Sequence, residues 1–140
     1  MPVLEQVLEQ YPKDVKLVIK NFPLTRIHKF SMGAAIASLA ANKQGKFWEY
    51  SDDLFKNHAK LSEAEFDEIA KSLGLNMDQF KKDQKDPALA ALVQRDLQDG
   101  VQAGVRGTPS IFINGRLLQN RSLEGFKEAI DAELAKKKGK

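Results

Sequence analysis

A chain of 140 residues, 42% hydrophobic and 29% charged, carries enough apolar material to bury one core and too little net charge to stay unfolded. No apolar run approaches the ~20 residues that span a bilayer, and the opening Met-Pro-Val-Leu-Glu-Gln lacks the basic start and apolar stretch of a secretory leader. With no cysteine, disulfides, zinc–thiolate sites and thiol catalysis are excluded for the chain as written. Much of the net charge of +3 sits in Lys136, Lys137, Lys138 and Lys140. No aromatic residue interleaves them, which speaks for a solvated helix end and against a nucleic-acid or membrane arm.

In chain order, Val3, Leu4, Val7, Leu8 and Tyr11 recur at helical spacing, with Pro2 suited to a first turn. Val15, Leu17 and Ile19 then alternate with Lys16, Val18 and Lys20 and predict a short strand closing at Phe22-Pro23. From Thr25 to about Asp99 the patterns are helical. An alanine-rich helix stops before Gly45, and Lys46–His58 carries Phe47, Trp48, Leu54 and Phe55. Ser62 and Glu65 form a capping box for a helix ending at Gly74. Asn76 opens a short helix, and Asp86-Pro87 pairs an N-cap with proline at the first position. The period changes in the last third. Ile111-Phe112-Ile113 and Leu117-Leu118 flank Asn114-Gly115, a hairpin signal, before an amphipathic helix through Leu123, Phe126, Ile130 and Leu134.

Three segments carry a family resemblance. Gly104-Val105-Arg106-Gly107-Thr108-Pro109-Ser110, running into Ile111-Phe112-Ile113-Asn114-Gly115, is similar to the "GV-x-GTP-S/T-x-F-hydrophobic-N-G" segment of DsbA-like thioredoxin-fold proteins. Asn21-Phe22-Pro23-Leu24 leading to His28, and Gln44 to Glu49 leading to Leu54-Phe55, resemble the matching stretches of that family. Together they cover nearly the whole chain in the family's order. The resemblance implies an α/β thioredoxin-like domain over residues 1–24 and 103–140, with an inserted helical subdomain over 25–102. It also implies a cis Thr108–Pro109 bond, with Gly107, Thr108 and Pro109 as the substrate-binding residues facing extended segments of substrate proteins. On spacing alone, Gly107-Thr108-Pro109 reads equally well as a plain turn into the hairpin.

The family's catalytic Cys-x-x-Cys lies at the start of its first helix, where the helix dipole favours thiolate. By resemblance that position falls before Met1, so no catalytic residue is expected in this chain. No cofactor and no metal site are expected either, because His28 and His58 have no ligand grouping around them. His28 is expected to pack at or cap a helix start, His58 to sit on a solvated helix end, and Trp48 to enter the core of the helical insert. The functional expectation is membership of the family of protein disulfide oxidoreductases, redox-inactive in this cysteine-free form. The alternative is a non-catalytic peptide-binding or chaperone-like module using a groove at Pro109. A relative of the kappa-type glutathione transferase and isomerase branch, which shares the helical insertion, is a weaker third. Family membership implies a periplasmic or extracytoplasmic setting and a membrane redox partner, with no nucleic acid. It further implies that the fold's first, central strand precedes Met1, leaving the strands read over Val15–Phe22 and Ser110–Asn114 with unpaired edges through which copies would self-associate.

Overall fold

Asp96, Asp99 and Lys20 decide where the chain divides. In the structure, a computed structural model describing residues 2–139, the chain forms two compact units, Lys20–Gly104 and Met1–Ile19 with Val105–Lys140. The Lys20 ammonium lies 2.6 Å from Asp99, and the Asn21 amide donates to the buried carboxylate of Asp96 at 3.0 Å. These bonds hold Lys20–Leu24 to the helical unit, so its first boundary falls before Lys20 and not after Leu24.

The helical unit contains α2 (Ser31–Asn42), α3 (Phe47–Lys56), a 3-10 turn (His58–Lys60), α4 (Glu63–Ser72), α5 (Met77–Gln84) and α6 (Pro87–Gln102). Small residues on α2 set its core. Ala37, Ala40 and Ala41 are fully buried beside Tyr50, Phe66 and Phe80. A Cβ on Gly33 would come within 3.0 Å of the Phe66 ring, so glycine there permits the close approach. Tyr50 donates its hydroxyl to the Phe66 carbonyl at 3.0 Å, satisfying a group that burial would otherwise make costly. Burial also pushes the Tyr50 phenol far above its ordinary range, with the charge of Asp67 adding to the effect.

The caps follow the sequence. Ser62 Oγ accepts from Glu65 N, Asn76 Oδ1 from Gln79 N and Asp86 Oδ1 from Ala88 N, each at about 3 Å. Helix starts and outward faces differ from expectation. Residues 25–30 are turns, α2 begins only at Ser31, and no side chain caps it, so the exposed His28 is not a cap. Trp48 is 50% and Phe55 77% exposed, because Tyr50 and Leu54 take the inward positions of α3. Trp48 meets Phe47 edge-on at 5.3 Å. His58 is exposed as expected, its Nδ1 2.9 Å from the Phe55 carbonyl.

The second unit packs α1 (Pro2–Gln10) and α7 (Leu123–Lys138) with an antiparallel hairpin, β1 (Phe112–Ile113) and β2 (Arg116–Leu117). Val7, Phe126 and Ile130 are its buried centre. Asn114 and Gly115 both take positive φ, at 46° and 81°, the left-handed pair that a tight hairpin turn demands. Ser122 caps α7, accepting from Gly125 N at 3.1 Å. The Tyr11 hydroxyl donates to Asp131 at 2.7 Å, which raises the Tyr11 phenol.

Two strand expectations need correction. Residues 15–24 form no strand, and Ser110–Asn114 pairs only over Phe112–Ile113. A strand is defined by its ladder, and among the described residues no backbone group pairs with Lys16 to Ile19.

Candidate functional site

The candidate site is the turn between the end of α6 and β1. Gly104, at φ 82°, ends the helix in a conformation only glycine adopts cheaply. The chain then bends through Gly107, Thr108 and Pro109, and the Thr108–Pro109 bond is cis. Gly107 is half-buried while Thr108 and Pro109 are exposed. A Cβ on Gly107 would meet nothing within 4 Å, so the loop lies open on that side.

Two side chains that sequence reasoning did not single out brace the loop. Ser110 Oγ donates to the Gly107 carbonyl at 2.7 Å, and Arg121 donates from its guanidinium to the Pro109 carbonyl at 2.9 Å. Ser110 was legible as a local Ser-to-backbone turn bond. Arg121 stands twelve positions away and carries no local signal. Both bonds leave the Thr108 N–H and carbonyl without a partner among the described residues.

The structure thus brings Gly107, Thr108 and Pro109 together on one exposed, braced turn. The turn presents the backbone of Thr108 at the surface. Neither His28 nor His58 belongs to this unit, and the Ser110 hydroxyl donates to the Gly107 carbonyl. Among the described residues no group of three or more His, Asp or Glu side chains is placed to hold a metal ion. Beyond the turn, Glu133 accepts from Lys136 at 3.0 Å and from Asn114 at 3.4 Å, and both bonds hold its carboxyl below the usual range.

Comparison with known proteins gives a family and an unexpected set of relatives. The model of a thioredoxin family matches residues 2–132. The Na+/H+ antiporter NhaA 3 of Salinispora tropica is 34% identical over 115 residues, which is 82% of this chain and 18% of that protein. NhaA 1 of Salinispora arenicola is 32% identical over the same length, and NhaA of Herminiimonas arsenicoxydans 35% identical over 106 residues, 17% of its length. The chain therefore spans less than a fifth of the length of these curated relatives. No solved structure matches it significantly.

Proposed function

Because this chain belongs to the thioredoxin family, we propose that it is a DsbA-like member that keeps the family's peptide recognition without its thiol chemistry. Extended segments of other proteins pair with the backbone of Thr108, as an added strand pairs with a free edge. Gly107 keeps the approach open and Pro109 fixes the turn. What carries the reading is the braced turn with the exposed Thr108, whose backbone groups have no partner among the described residues. Thiol–disulfide exchange needs one sulfur to attack and another to leave, and this chain has neither.

The test is a fluorescence-anisotropy titration with a labelled, extended, cysteine-free peptide. Saturable binding that weakens in Pro109→Ala supports the reading, and unchanged affinity returns the turn to a plain connection. In parallel, the purified chain should show only background rates of insulin reduction by dithiothreitol. Catalysis by cysteine-free, contaminant-free material would overturn the silent-enzyme half of the proposal.

A second reading comes from the names of the relatives. Each of those described is a Na+/H+ antiporter in which a stretch like this chain is a small fraction of the whole. On that reading the chain is a recognition module working beside a membrane transporter, on its extracytoplasmic side. Co-reconstitution with such an antiporter in vesicles tests it. A change in proton flux on adding the chain supports it, and identical flux removes it.

A further inference from the structure

A cleft of about 270 Å³ opens in the helical unit between α2, α4 and α5. Pockets for drug-sized ligands run from about 300 to 1,000 Å³, so this one suits a smaller molecule. Gly33 and Ile36 line it from α2, Glu63 from the start of α4, and Lys81, Gln84 and Lys85 from the end of α5. A Cβ at position 33 would stand 3.3 Å from Glu63 Oε1, so glycine leaves that carboxylate room at the wall.

The charges of this lining fall into two kinds. Lys81 is committed elsewhere: its ammonium bonds Asp67 at 2.5 Å, and the other oxygen of that carboxylate is buried with no hydrogen-bond partner. Lys81 is thus the counter-charge of Asp67. Glu63 and Lys85 are uncommitted. Among the described residues neither takes part in an ion pair within 4.0 Å. The cleft therefore keeps one free carboxylate and one free ammonium, with the Gln84 amide and the apolar Ile36 beside them.

A ligand of a single sign would meet its own charge on one of these two groups. One that carries both signs finds a partner for each. We propose that this cleft binds a small zwitterion, a free α-amino acid with an apolar side chain. Its ammonium bonds the Glu63 carboxylate, its carboxylate accepts from Lys85 and the Gln84 amide, and its side chain lies against Ile36. Charge-assisted bonds of this kind are the strong ones, and two of opposite polarity fix the ligand's direction as well as its affinity. All six lining residues belong to the helical unit, and peptide binding at Thr108 neither requires nor excludes this site.

The test titrates the whole chain with L-leucine and follows the backbone amides by NMR. Saturable binding should shift the signals of Gly33, Ile36, Glu63 and residues 81–85. N-acetyl-leucine lacks the ammonium and leucinamide lacks the carboxylate, and each should bind about tenfold more weakly or worse. Two variants separate a binding role from a structural one. Glu63→Gln should erase the preference for leucine over N-acetyl-leucine, and Lys85→Gln the preference for leucine over leucinamide, both with the helical circular dichroism retained. No saturation up to the solubility limit of leucine, equal affinity for either blocked analogue, or preferences that both variants keep would each overturn the proposal. So would sodium acetate producing the same shifts at the same concentration, since the cleft would then be a general anion site in which Glu63 has no part.

Discussion

The helical unit and the hairpin unit bury their apolar residues by different means. In the helical unit ten buried residues, from Ala37 to Leu89, form one closed cluster in which Tyr50 and Phe80 lie 5.7 Å apart. Among the described residues the hairpin unit has three, Val7, Phe126 and Ile130, beneath an open groove. Helices satisfy their backbone internally and need only side-chain faces to meet. A sheet unit needs backbone partners as well, and a segment such as Lys16–Ile19 without one leaves its apolar neighbours half-covered.

The largest test of that contrast is a pair of truncations. Phe66→Ala, at a fully buried site enclosed on all sides, should cost about 3–5 kcal/mol. Phe126→Ala removes the same atoms beside a groove that is already open, and its cost should fall below that range. Urea unfolding of both variants checks the order. Equal losses would mean that the groove closes in solution.

Sequence legibility follows the same divide. The caps at Ser62, Asn76 and Asp86 and the Asn114-Gly115 turn rest on bonds within three residues, and residue type alone encodes them. The Gly-Thr-Pro turn was legible as a candidate site through the family pattern, but its Arg121 brace was not, because only the folded chain brings that guanidinium to Pro109. The strand read over Val15–Phe22 has the right alternation, yet alternation describes a face and supplies no ladder. Trp48 and Phe55 share a helical face with apolar character, and nothing in their spacing says that Tyr50 would take the core instead.

Next in size is Gly125, which composition gave no reason to notice. A Cβ there would collide with the Asn120 carbonyl, a backbone atom that cannot swing aside. Gly125→Ala should therefore destabilise the hairpin unit by about 1–3 kcal/mol, the usual cost of overpacking. Thermal unfolding followed by hairpin amide signals would show it, and an unchanged melting curve would mean that the Asn120 loop yields freely. In the helical unit, Tyr50→Phe removes the hydroxyl bond to the Phe66 carbonyl and should cost about 1 kcal/mol. Its pH signature has a definite sign. The folded phenol ionises above its unfolded value, so the Tyr50 contribution is complete below about pH 10 and lost as pH rises beyond it. Tyr50→Phe should flatten that alkaline decline, and an identical decline would assign it to other groups.

The smallest expected effect lies at the acid end, at Asp86. Its carboxylate accepts from the Ala88 amide at 2.9 Å and from Lys43 at 3.1 Å, and these bonds, the backbone one foremost, hold it below the ordinary carboxylate range. A depressed folded value means that ionisation favours the folded state. The contribution is therefore present above about pH 4, where the unfolded carboxyl titrates, and is lost as pH falls through the lower folded value. Asp86→Asn keeps a side-chain oxygen for the cap and removes only the charge. At pH 6 the variant should unfold at slightly lower urea than the parent, and the gap should close on acidification toward pH 2. Lys43 sharpens the test, because its ammonium also bonds the buried Asp83 at 3.3 Å and so stays anchored when the Asp86 charge is gone. A gap of constant size across that range would show that the cap acts through geometry alone and that its charge adds nothing to the helical unit.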